Sequence, residues 1–159
     1  MSGMIRPELL IKKISGFTMI ELLVVIAITL LLAASVAPIY GNFQVSAQVN
    51  ENTSQIVQAL RSAREKSLAG YNNSQHGVKI FPGKYVCYQG SSYALRDSAY
   101  DREFVLNNSL SLASNLSNGE INFSKGNGKP DSIGTITITH SAGNVGFVAV
   151  NSLGVAEEN

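Results

Sequence analysis

Gly16-Phe17-Thr18-Met19-Ile20-Glu21-Leu22-Leu23-Val24-Val25-Ile26-Ala27-Ile28-Thr29-Leu30-Leu31-Leu32-Ala33-Ala34-Ser35-Val36-Ala37 is the stretch on which the reading of this chain turns. A carboxylate, Glu21, stands at the front of an almost uninterrupted apolar run. An acidic side chain in lipid costs ~2.5–3.5 kcal/mol or more at the bilayer centre, so such a group marks a function. Upstream, residues 1–15 are short and polar, with Arg6, Lys12 and Lys13 against the single Glu8. A secretory signal peptide has its small-residue cut site after its apolar region and loses that region. Here the small-residue boundary, Ser15-Gly16, precedes the apolar region, so cutting there sheds the basic leader and keeps the apolar helix.

Residues 17–40, at ~1.5 Å per helical residue, are long enough to cover a ~30 Å hydrocarbon core with some tilt. The Lys and Arg upstream set the orientation, leader in the cytoplasm and the rest of the chain outside it. Thr29 and Ser35 are tolerable because their hydroxyls can bond back to the preceding turn. Pro38 lacks a backbone N–H, so it is expected to kink or loosen the helix, or else to end the span. Beyond it, Val45, Val49, Ile56, Leu60 and Ala63, with Thr53 in the gap, fall on one helical stripe. Arg61, Arg64, Glu65 and Lys66 lie off that stripe, and Gly70 ahead of Tyr71-Asn72-Asn73-Ser74 predicts a left-handed cap and loop.

After Gly70 the period changes to two. Val78 and Ile80 alternate with Lys79, Phe81-Pro82-Gly83-Lys84 reads as a type II turn, and Tyr85 to Tyr88 pairs back. Glu103 to Leu106 and Glu120 to Phe123 are further strands. Gly134-Thr135-Ile136-Thr137-Ile138-Thr139-His140 alternates most cleanly, isoleucines inward, and turns through Ser141-Ala142-Gly143-Asn144 into Val145 to Val150. The fold class is therefore α+β: a long N-terminal helix, membrane-spanning then amphipathic, packed on a C-terminal antiparallel β-sheet domain of six or seven short strands. The divisions expected are a leader at 1–16, a membrane helix at 17–40, an amphipathic extension at 41–70 and the β domain at 71–159.

The motif Gly16-Phe17…Glu21, followed by a hydrophobic helix bearing Pro38, resembles the prepilin leader of type IV pilins and type II secretion pseudopilins. That resemblance implies cleavage by a membrane prepilin peptidase between Gly16 and Phe17 and N-methylation of Phe17. It further implies delivery from an inner-membrane assembly platform into a helical filament of pilin-like subunits, with Pro38 in a helix segment that melts on leaving the bilayer. Glu21 would there meet the N-terminal amine of a neighbouring Phe17, each neutralising a charge costly in an apolar bundle. The distal pattern is similar to the H-type minor pseudopilin of type II secretion and the T-type fimbrial minor pilins. It runs from Gln58-Ala59-Leu60-Arg61 through Gly77-Val78-Lys79-Ile80 to Val150-Asn151-Ser152-Leu153-Gly154-Val155. A single cysteine departs from the disulfide-bounded loop of many major type IV pilins. A pilus subunit serving adhesion, motility or DNA uptake stays as the alternative.

Twelve Lys+Arg balance eleven Asp+Glu, and charged residues are 14% of the chain. No overall field recruits nucleic acid, the distal strands show little Lys/Arg clustering and Glu157-Glu158 is acidic, so DNA binding is not expected. No catalytic set converges: the chain reads as a non-enzyme without cofactor or metal. His76 and His140 are expected as exposed strand-end residues, and Cys87 as a small buried hydrophobe. Asp97, Asp101 and Glu103 interleaved with Arg96 and Arg102 read as a solvated loop with local ion pairs. Gly126-Asn127-Gly128-Lys129-Pro130-Asp131 reads as a turn between strands, calcium binding being the minority reading.

Overall fold

The computed structural model describes residues 16–158, and within them gives no side-chain description for 35–40. The expected leader, with Arg6, Lys12 and Lys13, thus lies outside the described residues, as do the side chains of Ser35 and Pro38. Two compact units divide after Tyr40.

One helix, α1, runs from Met19 to Leu68. Its helical assignment is unbroken through Pro38 and Gly41. In the first unit every described side chain from Phe17 to Ala34 is exposed. Among the described residues no helix is long and apolar enough to cross a membrane. The described part of the apolar run ends at Ala34, short of the ~20 residues that a ~30 Å core requires.

The second unit begins at Gly41 and contains the whole described hydrophobic core. There α1 buries Val49, Thr53, Ile56, Leu60 and Ala63 on the expected stripe, with Val45 half-buried. The stripe is wider than the expected one: Val57 and Ser67 are buried too. Thr53 satisfies its hydroxyl by donating to Val49 O at 2.8 Å, so it sits in the core without a stranded polar group. The helix stops at Gly70, whose φ of 63° is left-handed and whose N–H donates to Ser67 O at 3.1 Å. Asn72 and Asn73 follow in the same left-handed region, φ 51° and 56°, which asparagine tolerates better than most residues.

Eight strands follow: β1 His76–Phe81, β2 Lys84–Gln89, β3 Arg102–Val105, β4 Leu110–Ser114, β5 Glu120–Phe123, β6 Gly134–His140, β7 Val145–Val150 and β8 Ala156–Glu158. They form two antiparallel four-stranded sheets, ordered β3-β2-β1-β5 and β4-β6-β7-β8. Ile136 and Ile138 of β6 are fully buried while Thr135, Thr137 and Thr139 stay half-exposed, as the alternation predicts. On β1 and β2 the register Val78↔Cys87 and Ile80↔Tyr85 puts these four side chains on one face. Gly146 of β7 lies against α1, where a Cβ would come within 2.6 Å of Thr53 Oγ1 and 2.9 Å of Val49 Cγ1. The glycine is what lets β7 approach the helix so closely.

Several expectations need correction. Strand β4 was not expected, because its alternating Leu110-Ser111-Leu112 sits in a Ser/Asn-rich segment that reads as loop. Only when it pairs Leu112↔Ile138 do both leucines become core. The third strand is shifted one residue, Arg102–Val105, and Leu106 leaves the ladder to be buried, its N–H donating to Gly83 O at 3.0 Å. The turn at Pro82-Gly83 is not type II, since Gly83 does not take the positive φ that its third position requires. A two-residue loop closes Phe81↔Lys84 instead.

The histidines do stand at strand ends, but they are buried rather than exposed, His76 at 6% and His140 at 7%. Each has local partners. The backbone N–H of His76 donates to Ser67 Oγ at 2.9 Å and its ring tilts against Tyr71, 5.9 Å between centroids. His140 Nδ1 accepts from Ala142 N at 3.0 Å, which makes the imidazole part of the β6–β7 turn. Cys87 is half-buried and packs on the core; burial pushes its thiol up to about 11, so it stays protonated at neutral pH.

The acidic stretch holds one of the local pairs expected of it, while Glu103 pairs across strands and Asp97 and Arg102 form no ion pair among the described residues. Arg96 Nε meets Asp101 Oδ2 at 2.7 Å while its guanidinium stacks on Tyr93 at 3.7 Å, and Lys84 meets Glu103 at 3.0 Å. The segment 126–131 turns the chain out of β5: Gly126 N donates to Ser67 O at 2.9 Å, and Asp131 Oδ1 accepts from Asn122 N at 2.8 Å. Among the described residues no group of three or more His, Cys, Asp or Glu could hold a metal ion.

Two measurements test this packing. Ile56 is 0% exposed, so Ile56→Ala should lower the unfolding free energy by about 2–5 kcal/mol in a urea titration, through lost transfer energy and a residual cavity. Burial, and then the nearby Lys66 charge, hold the His76 imidazole below its ordinary 6.5. The unfolded chain therefore binds more protons there between the lowered value and 6.5, and stability rises with pH across that window and is lost as pH falls through it. His76→Gln should flatten the stability–pH profile below 6.5, measured by chemical unfolding at a series of pH values.

Candidate assembly motif at the helix start

Helix α1 needs a cap, because its first backbone N–H groups have no partner within the helix. Thr18 supplies one. Its Oγ1 accepts from Glu21 N at 3.2 Å, while Glu21 Oε2 accepts from Thr18 N at 3.5 Å. This is the reciprocal Thr-x-x-Glu capping box, and Leu22 N bonding Thr18 O at 3.2 Å closes the first turn. The carboxylate also sits where the positive end of the helix dipole favours it. Glu21, singled out from sequence for its cost in an apolar setting, is thus held at the first helical turn. The role of Thr18 was missed, although a Thr followed three residues later by Glu before an apolar run is a legible signal.

Around this cap the motif is open. Phe17 is 80% exposed and Met19 83%, and a Cβ at Gly16 would meet nothing within 4 Å. The peptide between Gly16 and Phe17 therefore lies in accessible chain ahead of the helix. Thr29 Oγ1 back-bonds to Val25 O and Ile26 O, both at 2.9 Å, and so causes no polar break in the apolar surface. That surface is large: Leu23, Leu30, Leu31 and Leu32 are each 64–71% exposed. An apolar area of this extent marks a lipid or protein contact. Pro38, the fourth residue singled out, belongs to the helix but its side chain lies outside the described set.

The comparisons with known proteins bear on both units. Residues 11–37 match the prokaryotic N-terminal methylation motif. No curated protein matches the chain significantly. Among solved structures, the chain is similar to the crystal structure of the minor pseudopilin EpsH from the type II secretion system of Vibrio cholerae. The TM-score is 0.56 at 13% identity, over 72% of this chain and 94% of that one. A second structure of the same Vibrio cholerae protein gives 0.55 at 13% identity, over 70% and 96%.

Loss of the cap has a direct readout. Thr18→Ala should weaken the helix start by ~1 kcal/mol, seen as faster amide exchange at Met19 to Leu22 with the second unit unchanged. Unaltered exchange there would remove the capping role. The chain thus joins the N-terminal methylation motif of pilin-like proteins to a pilin-like α+β fold.

Proposed function

We propose that this chain is a structural subunit of a type IV pilus-like filament, acting as a minor pseudopilin in a type II secretion pseudopilus. The observation that supports it best is the methylation motif placed directly on a capped apolar helix, its described side chains exposed, that leads into a pilin-like fold. In this reading a prepilin peptidase cuts between Gly16 and Phe17, Phe17 is N-methylated, and residues 17–40 serve first as a single membrane span. The inner-membrane assembly platform then lifts the subunit into a filament whose core is made of these helices. Its action is structural, not enzymatic.

Glu21 provides the chemistry of docking. Its bond to Thr18 N is long, 3.5 Å, so the carboxylate is free to turn to a better donor. The N-terminal amine of a neighbouring Phe17 is such a donor, and pairing cancels two charges that would each be expensive inside an apolar bundle. The same motif serves pilins, so the second reading is a subunit of a type IV pilus; isolation of the filament together with secretion or with pilus components separates the two.

Mass spectrometry of the protein from its native membrane should find a chain beginning at N-methylated Phe17. Gly16→Trp should leave the leader attached, because a bulky side chain keeps the peptidase from the backbone. Glu21→Ala should be cleaved and membrane-inserted yet depleted at least tenfold from sheared filaments, the loss of an interaction worth ~1.4 kcal/mol or more. Normal incorporation of Glu21→Ala would end the docking role while leaving cleavage intact.

A further inference from the structure

Beside its core stripe, α1 carries a second row, Gln55, Ala59, Ser62 and Lys66, spaced by four, three and four. Small side chains at the middle of this row leave room between the helix and strands β1 to β3. The result is a cavity of about 460 Å³, within the ~300–1,000 Å³ range of small-ligand sites. Its apolar wall is built by Ala59, Ala63, Cys87 and the stacked rings of Tyr85 and Phe104, 4.9 Å apart and 13° from parallel.

Beside neutral Gln, Ser and Tyr groups, the charged side chains lining this cavity are all basic. Lys66 and Arg102 both line it, and the Cys87 thiol in its wall feels the charge of both. No Asp or Glu is among the lining residues, and neither cation forms an ion pair among the described residues. His76, 6% exposed, also lines it, and its Nδ1 is buried without a hydrogen-bond partner. The buried ring nitrogen carries a desolvation cost, and the two cations, Lys66 half-buried and Arg102 exposed, give an acid-free cavity a positive rim. An apolar stem bearing an anion would cover the apolar wall and complement both cations.

We propose that this cavity binds an amphipathic anion, a carboxylate or phosphate on a short aliphatic or aromatic stem. The stem lies along Ala59, Cys87 and Phe104, and the anionic head sits between Lys66 and Arg102 with His76 Nδ1 within the same polar end. The inference does not rest on filament assembly, and it concerns only the second unit.

Cys87 is the chain's single cysteine and stands in the wall, so its alkylation by a maleimide reports occupancy. The full chain in lipid nanodiscs is labelled at mildly alkaline pH with hexanoate, hexyl phosphate, hexan-1-ol or hexylamine added. At a ligand concentration ~ten times Kd, labelling should slow about tenfold, as 1 + [L]/Kd. Hexanoate or hexyl phosphate, or both, should give this protection, and which one does identifies the head group. Hexan-1-ol and hexylamine should give little. Lys66→Gln with Arg102→Gln should abolish the protection, and the charge-keeping Lys66→Arg with Arg102→Lys should retain most of it. Equal protection by the alcohol or the amine, protection surviving loss of both cations, or none from either anion overturns the proposal. So does protection that arises only on adding another filament subunit, which would make the cavity a protein interface.

Discussion

The globular unit depends on one interaction, the burial of a single stripe of α1 against β-sheet. Val49, Ile56, Leu60 and Ala63 belong to the same core as Val78 and Ile121 of one sheet and Ile136 and Val148 of the other. Each sheet has only four strands, and four short strands cannot bury a face without something apolar to cover them. The helix provides that cover, and Gly146 lets β7 come close enough to use it. The strands are ordered β3-β2-β1-β5 in one sheet and β4-β6-β7-β8 in the other.

The first unit obeys the opposite rule. Its described apolar side chains are exposed rather than buried, and Thr18 with Glu21, and Thr29 with its own backbone, satisfy polar groups locally. A helix whose surface is apolar and whose polar groups are internally paired is built for surroundings that offer no hydrogen bonds. Lipid and a bundle of like helices both meet that description.

Small residues carry a second meaning in this fold. Ala59, Ser62 and Ala63 leave space beside a helix that elsewhere fills it with Ile56 and Leu60. That space forms part of the cavity that Lys66 and Arg102 also line. It lies on the row next to the core stripe. The helix can thus hold the sheets together with one face and shape a cavity with the adjoining one.

The sequence by itself determined the periodic elements. Apolar residues at three and four announced the helix, Gly70 its end, and the Thr-Ile alternation of 134–140 a half-buried strand, because each signal is local and repeats. It also marked Gly16, Phe17 and Glu21, since a carboxylate before an apolar run is costly wherever the chain folds. Tertiary structure alone decided the division into two sheets, the recruitment of β4 from a Ser-rich segment, the burial of His76 and His140, and the meeting of Lys66, Cys87 and Arg102 in the lining of one cavity. These depend on which distant residues come together, and side-chain spacing along one strand or helix carries no information about the element opposite it.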